Sequence, residues 1–343
     1  RVSCPCLTRG PASSLLSRPL ATPNKHRCQA RAQQRKVEKL CRMRTGALAA
    51  GLGPLRSIGL LRRVLSTSSG ASSGQRPALV LAHGFLGGRT LPGSTILYFR
   101  GVEEDLRSRG YDVLTTSVPP TSPVALRAKA LQEQIMQWED RRGRRVAILA
   151  HSMGGLDARY AISKLGGDAL VSSLLTVSTP HRGSPLADLL LGLGDASGLA
   201  SLLQASPLQA MADLPDGGRC LSSAAAQEFN SEVADSPDVR YFSVGGDRSS
   251  ILRTSPELIP GYSYILNREG PNDGAVSVQS ARWGKYCKTL DMDHFHQINF
   301  PLPHRWLTGA PQYSEVLDEY RNLAAIATSS YVAQGIFAGT PCY

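Results

Sequence analysis

Short apolar segments alternate with segments of helical periodicity along the chain from residue 77 onward. Strands that are apolar throughout are typical of a parallel sheet buried on both faces, and their alternation with helices predicts an α/β fold. We therefore expect a mostly parallel central sheet with helices on both faces, in one large domain over residues 77–343. The predicted strands cover residues 78–82, 112–116, 145–150, 171–177, 239–244 and 286–290.

Three helices are predicted from periodicity and boundary residues. Ser122 and Pro123 resemble a helix start, with the serine as cap and the proline at the first helical position. The apolar residues that follow share one helical face, which indicates core packing and not a cofactor site: Val124, Ala128, Leu131, Ile135 and Trp138. Further helices are predicted at 156–165, ended by two glycines, and at 314–331.

The segment 146–155 has the pattern of a buried strand that turns directly into a helix. Ser152 lies at the turn, with the small residues Ala150 and Gly154 on either side. A strained strand-to-helix turn needs small neighbours because the strand and the helix come close while the serine hydroxyl is exposed. The pattern predicts that Ser152 is a nucleophile, although a lone motif of this kind is common by chance.

A glycine-rich loop follows the first predicted strand, at residues 83–88. Such a loop can cradle a phosphate, but the spacing fits neither a dinucleotide-binding motif nor a P-loop. The other interpretation is an oxyanion hole, in which the backbone amides of Phe85 and Met153 bind the negative oxygen of a reacting acyl group. Each donor of this kind typically lowers the barrier by about 3–4 kcal/mol.

A general base and its supporting acid are expected downstream of the nucleophile. Asp273 lies in a polar turn, and His294 follows 21 residues later. His294 would take the Ser152 proton and later donate it to the leaving group, while Asp273 would orient the imidazole. Asn-Asp-Gly is also an ordinary turn sequence. The residues alone leave three competitors open for these roles: His296, Asp291 and Asp293.

Five motifs occur together in one order: HGFLGG, AHSMGGLDARY, TPHRGSPLAD, NDGAVSVQSARWG and DHFHQIN. Over about residues 77–305 the chain thereby resembles the true lipases of the α/β-hydrolase superfamily, above all the bacterial triacylglycerol lipases and their fungal relatives. The resemblance implies the α/β-hydrolase fold and hydrolysis of carboxylic esters of acyl lipids through an acyl-enzyme. By motif match it implies the nucleophile at Ser152, the acid at Asp273, the base at His294, and the oxyanion amides at Phe85 and Met153.

The chain departs from the lipase pattern at two places. The resemblance implies a structural calcium with ligands two and six residues after the catalytic histidine, which are His296 and Phe300 here. Imidazole and phenyl groups are poor ligands for this hard cation, so we expect no calcium, no other metal and no cofactor. A cysteine that some of these lipases use in a disulfide corresponds to Gln279. Both departures favour an intracellular compartment.

Residues 183–235 interrupt the alternation of strands and helices with Leu-rich segments broken by glycine. In lipase-like folds a mobile lid lies at this place, and its apolar underside would cover the site in water and meet lipid when open. A pair of cap helices with fixed packing explains the pattern equally well.

Other histidines and cysteines near the motifs predict no second chemistry. His83 and His151 flank the glycine-rich loop and the nucleophile and are candidates for indirect support, while His181 is expected to be structural. The cysteines downstream of Met43 are odd in number and lack the spacing of a metal site: Cys220, Cys287 and Cys342. A disulfide between the first two stays open.

The net charge of +11 comes from the head of the chain. Residues 1–76 contain 15 of the 38 Lys and Arg but only one of the 27 Asp and Glu, so the rest has 23 basic and 26 acidic residues, a net charge of −3. Because the basic excess does not belong to the predicted domain, it does not indicate nucleic-acid binding.

The head predicts two segments. The first methionine is Met43, so residues 1–42 are interpreted as an upstream extension. Residues 43–76 are rich in Arg, Ser and Leu without an acid, which is the composition of an organelle transit peptide, and 63–66 resembles a mitochondrial cleavage site. The charge-free stretches 45–55 and 64–75 have 11 and 12 residues, so both are too short for a transmembrane helix. We expect a mitochondrial protein, with plastid or cytoplasm as alternatives and secretion disfavoured by the arginines.

The expected function is a Ser-His-Asp hydrolase that acts on acyl lipids in transient contact with a membrane or lipid-droplet surface. A phospholipase or an acyl-thioesterase is the alternative, because the serine turn does not select the leaving group. A non-catalytic scaffold that binds lipid or a partner is a third. Serine in place of a carboxylate at position 152 argues against epoxide hydrolase or dehalogenase chemistry.

Overall fold

The computed structural model describes residues 76–90, 96–192, 216–302 and 306–329. The predicted upstream extension and nearly all of the predicted transit peptide lie outside these residues, as does the centre of the 183–235 insertion. None of the helices within the described ranges has both the length and the apolar character needed to cross a membrane.

A six-stranded parallel sheet forms the centre of the domain, which confirms the predicted α/β architecture. The strands lie side by side in the order β2-β1-β3-β4-β5-β6, and every neighbouring pair is parallel. Each observed strand boundary falls within two residues of its prediction. The strands are β1 (Ala78–Ala82), β2 (Asp112–Thr115), β3 (Val146–His151), β4 (Val171–Val177), β5 (Arg240–Gly246) and β6 (Lys285–Leu290).

Helices connect the strands and cover the sheet. We number them along the chain as α1 (Val102–Ser108), α2 (Val124–Gln137), α3 (Gly154–Lys164), α4 (Pro185–Leu190), α5 (Ser223–Glu232), α6 (Ile259–Glu269), α7 (Val278–Ala281) and α8 (Tyr313–Thr328). The predicted stripe on α2 is largely confirmed, because Val124, Ala128, Leu131 and Ile135 are all buried. The predicted terminal helix corresponds to α8.

The start of α2 differs from its prediction by one residue. Pro123 has extended backbone angles, with φ −60° and ψ 155°, and it occupies the N-cap position in place of the first helical position. The Pro123 carbonyl accepts hydrogen bonds from the amides of Leu126 and Arg127, at 3.1 and 3.2 Å. The first turn is therefore closed through this backbone carbonyl, and no side chain caps the helix.

The sheet separates two hydrophobic cores, because successive strand residues point to opposite faces. Leu79 and Leu81 of β1 pack in one core with residues of α1 and α8, whereas Val80 packs in the other with residues of α2 and α3. The same alternation holds in β3, where Leu149 joins the first core and Ile148 the second. Burial on both faces explains why these strands are apolar throughout.

The carboxyl ends of the parallel strands lie at one edge of the sheet, and the predicted functional residues follow them. The glycine-rich loop follows β1, Ser152 follows β3 and His294 follows β6. In open α/β sheets this edge is where ligands bind. The flanks of the 183–235 insertion are packed, since α4 contacts α6 through a small apolar cluster. The choice between a lid and a fixed cap depends on residues 193–215, which lie outside the described residues.

Candidate active site

Ser152 occupies a left-handed turn between β3 and α3, with φ 54°. A non-glycine residue in this conformation costs about 1–3 kcal/mol, so the surroundings must hold it. The Ser152 amide donates to the Val177 carbonyl at 2.9 Å, and the Thr179 hydroxyl donates to the Ser152 carbonyl at 2.7 Å. A Cβ on Gly154 would lie 2.6 Å from the Ala82 carbonyl oxygen. The strained turn and the need for a small residue after it therefore agree with the predicted nucleophile position.

The glycine-rich loop packs directly against Ser152. A Cβ on Gly84 would lie 2.7 Å from the Ser152 Cβ and 3.1 Å from its Oγ, so only glycine allows this approach. Met153 is buried beside it. Within the described residues, neither the Phe85 amide nor the Met153 amide donates a hydrogen bond to the protein. Two backbone donors beside the serine thus remain available to a ligand.

The peptide group between Gly84 and Phe85 is fixed through its carbonyl oxygen. That oxygen accepts hydrogen bonds from His83 Nδ1 at 2.8 Å, from the Gly87 amide at 3.2 Å and from Arg127 Nη2 at 3.2 Å. In a trans peptide the N–H group points away from the C=O group. The three donors on the Gly84 oxygen therefore set the direction of the Phe85 N–H.

His83 supports this loop in one defined tautomer. Its Nε2 accepts the Val118 amide at 3.0 Å, so Nδ1 carries the proton and donates to the Gly84 carbonyl. Burial, reinforced by the positive charge of Arg127, lowers the pKa of His83 to about 4. The ring is therefore neutral at neutral pH, as the two hydrogen bonds require.

Arg127 is a buried cation beneath the same loop. It forms a hydrogen-bonded ion pair with Asp157, 2.8 Å between Nη2 and Oδ2, and both side chains are buried. The guanidinium also donates to the carbonyls of His83 at 2.9 Å and Pro119 at 3.1 Å. Burial raises the pKa of Asp157 to about 6, although the attraction of Arg127 opposes the rise.

Asp273 and His294 form the contact that the sequence predicts. His294 Nδ1 lies 2.8 Å from Asp273 Oδ2, and the His294 amide donates to the Asp273 carbonyl at 3.0 Å. The other carboxylate oxygen of Asp273 accepts the amides of Ala275 and Val276, at 3.0 and 2.8 Å. Within the described part of the chain, no hydrogen bond links the Ser152 hydroxyl to His294. Such catalytic contacts often tighten only when substrate binds.

The three competitors for these roles lie in other contacts. His296 is fully buried, with Nδ1 3.0 Å from Asp293 Oδ1 and Nε2 3.4 Å from the Ser255 hydroxyl. Asp293 accepts the Ser255 hydroxyl at 2.6 Å, and hydrogen bonds from this hydroxyl and from His296 lower its pKa against the effect of burial. Asp291 is more exposed and pairs with Arg248 at 3.1 Å. Among the described residues, the pair of Asp273 and His294 lies beside the residue that precedes Ser152, since the ring centroids of His294 and His151 are 4.5 Å apart.

The residues at the expected calcium positions do not suit that ion. His296 is enclosed by Asp293 and Ser255, and its ring offers nitrogen to a cation that prefers oxygen. Phe300 packs against the hydrophobic core. No group of three or more metal-binding side chains occurs among the described residues.

Sequence reasoning missed the polar residues that support the site. Arg127 lies on the apolar face of α2, three residues after Val124 and four before Leu131, so helical spacing could have marked it as buried. Gln297 lies in the DHFHQIN motif and donates to Asp273 Oδ2 at 3.0 Å. Tyr98 accepts the Gly84 amide at 3.0 Å. Proximity to His294 in sequence could likewise have indicated Gln297, whereas Tyr98 lacks a sequence signal.

The remaining histidine and cysteine expectations agree with the structure where it describes them. His181 is buried, contacts the Thr176 hydroxyl at 3.0 Å and stacks on Trp283, with ring centroids 5.1 Å apart. Burial lowers its pKa well below the ordinary value. This is a structural environment. Cys220 and Cys287 are not joined by a disulfide.

Comparisons with known proteins agree with the fold. The family described as "PGAP1-like alpha/beta domain" matches residues 125–191. "Triacylglycerol lipase 2" of Saccharomyces cerevisiae is 36% identical over 215 residues, which are 60% of this chain and 63% of the yeast protein. "Triacylglycerol lipase" of Vibrio cholerae is 28% identical over 255 residues, 65% of this chain and 80% of that protein. The chain thus spans less than two thirds of the length of the yeast relative.

A solved structure supports the fold independently. The mature form of Bacillus licheniformis lipase BlEst2 superimposes with a TM-score of 0.54 and 24% sequence identity, covering 65% of this chain and 86% of that chain. At this identity the likeness establishes the fold alone. The sequence relatives and the structural relative agree: the chain has the α/β-hydrolase fold and is similar in sequence to triacylglycerol lipases.

Proposed function

We propose that this protein is a serine hydrolase that cleaves carboxylic esters of acyl lipids, in the manner of a triacylglycerol lipase. The observation that carries the proposal is the 2.8 Å contact between Asp273 and His294 at the same sheet edge as the strained Ser152 turn. The similarity to the yeast and Vibrio triacylglycerol lipases supports lipid esters as the substrate class.

In the first half of the reaction the ester becomes an acyl-enzyme. His294 Nε2 accepts the Ser152 proton as Oγ bonds to the ester carbonyl carbon, and the carbonyl π electrons move onto its oxygen. The amides of Phe85 and Met153 bind this oxyanion, each worth about 3–4 kcal/mol. When the carbonyl re-forms, the bond to the alcohol oxygen breaks and the alcohol leaves with the proton from His294.

In the second half, water releases the fatty acid. His294 takes a proton from water while the water oxygen bonds to the acyl carbon, which again places negative charge on the carbonyl oxygen. Collapse breaks the bond to Ser152 Oγ, which recovers its proton from His294. In both halves the Asp273 carboxylate accepts the Nδ1–H of His294, so that Nε2 faces the serine and the imidazolium is stabilised when it forms.

We also propose that the enzyme works at a lipid surface, such as a membrane or a lipid droplet. Large apolar side chains project from the segments that follow β5 and β6, at the carboxyl edge of the sheet where the site lies. Leu252 is 81% exposed, Trp306 78% and Leu307 63%. Arg248 holds these segments together, since it donates to the Arg253 carbonyl and the Thr308 carbonyl, each at 2.8 Å. Clustered exposed apolar residues are typical of surfaces that contact lipid or protein.

Surface variants test this docking without altering the chemistry. Replacing Leu252 and Trp306 with serine should reduce co-sedimentation with a triolein emulsion and turnover of that emulsion, and leave hydrolysis of a soluble short-chain ester unchanged. Leu126→Ser is the matched control, because Leu126 is also exposed but lies on α2. Equal losses in both proteins would argue against a specific docking surface.

We propose the mitochondrion as the compartment, supported by the Arg-rich, acid-free composition of residues 43–76. A fusion of these residues to a fluorescent protein should localise to mitochondria. Replacing the arginines at 56, 62 and 63 with glutamine should abolish import. Delivery to plastids, or cytoplasmic signal for the unaltered fusion, would overturn this assignment.

The test of the reaction is turnover of a triacylglycerol emulsion, a phospholipid vesicle and a soluble short-chain ester, with Ser152→Ala as control. We expect Ser152-dependent hydrolysis that favours triacylglycerol. Preference for the phospholipid would assign the protein to phospholipases. Turnover equal to the Ser152→Ala protein on all three substrates, and no labelling of Ser152 by a fluorophosphonate, would contradict a serine hydrolase and favour a lipid-binding scaffold.

A further inference from the structure

A chain of four hydrogen bonds connects the catalytic acid to the glycine-rich loop through the protein interior. From this chain we infer that Gln297 is a positioning residue, which fixes Asp273 at one end and, through His151 and Tyr98, the oxyanion loop at the other. The inference rests on the serine-hydrolase function proposed above.

The distances define the chain. Gln297 Nε2 lies 3.0 Å from Asp273 Oδ2, and Gln297 Oε1 lies 3.1 Å from His151 Nε2. His151 Nδ1 lies 2.8 Å from the Tyr98 hydroxyl, and the Gly84 amide lies 3.0 Å from the same hydroxyl. Gly84 precedes Phe85, so the chain ends one residue before the proposed oxyanion amide.

Chemistry fixes the direction of every bond in this chain. An ionised carboxylate only accepts, and Asp273 accepts N–H groups on both oxygens, so the Gln297 amide nitrogen must donate to it. The Gln297 oxygen then faces His151 and requires a proton on its Nε2. His151 Nδ1 is therefore an acceptor, which the Tyr98 O–H satisfies, and the Tyr98 oxygen accepts the Gly84 N–H.

The three side chains between Asp273 and the glycine-rich loop are buried and uncharged, so each of their hydrogen bonds must be satisfied within the chain. Tyr98, His151 and Gln297 are each nearly inaccessible to solvent. Burial lowers the pKa of His151 well below its ordinary value, helped by the positive charge that His294 carries when protonated, and burial raises the pKa of Tyr98. In such a dry environment an unpaired donor or acceptor is costly, so the chain favours one arrangement over all others.

The position of His151 connects the chain to the proton transfer. Its ring centroid lies 4.5 Å from that of His294, which becomes an imidazolium in both halves of the proposed reaction. A second charge on His151 would oppose that step. Between the two neutral tautomers of His151, Gln297 selects the Nε2–H form, because its amide oxygen can only accept a hydrogen bond. Gln297 thus aligns the acid and selects the tautomer of the neighbouring ring, whereas burial keeps that ring neutral against the hydrogen bond from His151 to Gln297, which raises the pKa of His151.

Two substitutions of Gln297 separate positioning from simple packing. Gln297→Met keeps a similar volume but removes both hydrogen bonds, and we expect kcat on the soluble ester to fall by up to about 100-fold with little change in KM, as for small misalignments of catalytic groups. Gln297→Glu keeps an oxygen for His151 but adds a negative charge beside Asp273. The acid limb of the kcat/KM profile should then move to higher pH by about one unit or more, because the added charge favours protonated His294.

A matched control and a double variant address folding. Gln132→Met removes an amide that donates to the Leu165 carbonyl at 2.9 Å, away from the site, and should keep the kcat of the unaltered protein. Tyr98→Phe keeps the ring but removes the hydroxyl at the far end of the chain. Tyr98 and Gln297 share no hydrogen bond, so effects that fail to add in the double variant must pass through His151. Melting temperatures show whether each protein is folded.

The Gln297 variants give different results depending on whether Gln297 positions the site. Loss of kcat in a folded Gln297→Met protein, the shifted profile of Gln297→Glu and non-additivity with Tyr98→Phe support the inference. It is overturned if Gln297→Met retains kcat, or if Gln297→Glu keeps the profile of the unaltered protein. Should Gln297→Met not fold, the Gln297→Glu profile decides.

Nitrogen NMR separates failure of this inference from failure of the proposed function. The ¹⁵N shifts of His151 report its tautomer without any turnover, and we expect the Nε2–H form. An Nδ1–H form would overturn the chain even if Ser152-dependent hydrolysis is observed. The Nε2–H form in a protein without Ser152-dependent turnover would leave the hydrogen-bond chain intact and refute the hydrolase function, and with it the catalytic role of Gln297.

Discussion

Arg127 and Asp157 form an ion pair of 2.8 Å in which both side chains are shielded from solvent, beneath the loop that carries Phe85. Taking two charges out of water is costly, and the mutual attraction repays that cost only when further hydrogen bonds complete the site. Here the guanidinium also donates to the carbonyls of His83 and Gly84. The ion pair is therefore coupled to the orientation of the proposed oxyanion amide.

Removing Arg127 should damage stability and activity by separate routes. Arg127→Met leaves Asp157 buried without its partner, and we expect a loss of about 3–5 kcal/mol in the free energy of unfolding, measured by urea denaturation. Combining it with Asp157→Leu should restore much of that stability, because no unpaired charge remains.

Esterase activity of the same double variant checks the second route. The Gly84 carbonyl still lacks its Arg127 donor, so kcat should stay low although stability returns. Recovery of both stability and kcat in the double variant would contradict a role of Arg127 in orienting the loop.

Gly154 provides a test of the close approach between the serine turn and β1. A Cβ there would lie 2.6 Å from the Ala82 carbonyl oxygen and 2.7 Å from the His83 carbonyl oxygen, and backbone atoms cannot move aside easily. We expect Gly154→Ala to lower the unfolding free energy by about 1–3 kcal/mol and to abolish ester hydrolysis.

Gly166→Ala is the matched control for that variant. Gly166 has φ +73° but no atom within 4 Å of an added Cβ. It should cost about 1 kcal/mol in backbone strain while activity is retained. Equal activity of the two folded variants would show that the approach at Gly154 does not serve the site.

The fold could be predicted from sequence because positions that are buried in the fold are apolar in the sequence. The residues of β1 and β3 are apolar throughout since both faces of the sheet are covered, and the small residue Gly154 reflects a contact with the neighbouring strand. Motif order likewise led to Asp273 and His294. The described structure confirms that these two side chains are in contact, while their catalytic roles remain proposals.

The polar support could not be predicted, because it depends on backbone carbonyls that become neighbours only in the folded chain. Arg127 bonds to carbonyls near residues 83 and 119, and Tyr98 bonds to the amide of Gly84. The position of Arg127 on the apolar face of α2 does not indicate which carbonyls its guanidinium contacts, and a loop tyrosine resembles a surface residue in sequence. The helix start differs from its prediction by one residue, because Pro123 has the φ of a helix but an extended ψ angle of 155°, which the sequence does not reveal.

Asp273 and Asp291 allow a direct comparison of the two acid candidates. Asp273→Asn removes the carboxylate from His294 and should lower kcat by about 10⁴-fold, the loss known for other Ser-His-Asp triads. Asp291→Asn removes ion pairs to Arg248 and Arg253 instead, and kcat on the soluble ester should change little. The reverse ranking of the two variants would reassign the acid.

Chelation should leave the protein unaffected. His296 lies fully buried between Asp293 and Ser255 at a position where the lipase pattern has an oxygen ligand, so the structure has no evident need of calcium there. We expect the same kcat and the same melting temperature with excess EDTA as with added calcium. A fall in melting temperature upon chelation, reversed by calcium, would reveal a cation site that His296 does not exclude.

Buried neutral histidines should make the protein sensitive to mild acid. Burial lowers the pKa of His83 to about 4 and those of His151 and His181 well below their ordinary values. Below pH 6.5 the unfolded chain binds protons that the folded protein does not, so the unfolding free energy falls as the pH falls from about 6.5 to 4, by about 1.4 kcal/mol per pH unit for each histidine.

Asp157 acts in the opposite direction in part of that range. With a pKa raised to about 6, the folded protein holds a proton between pH 6 and about 4 that the unfolded chain releases, which offsets about one histidine. The net result is still a loss of stability toward acid, because three histidines act against one carboxyl group. Urea denaturation at several pH values between 7 and 4.5 measures this slope. In His83→Gln the slope should be shallower by about 1.4 kcal/mol per pH unit, and an unchanged slope would mean that His83 is already protonated in the fold.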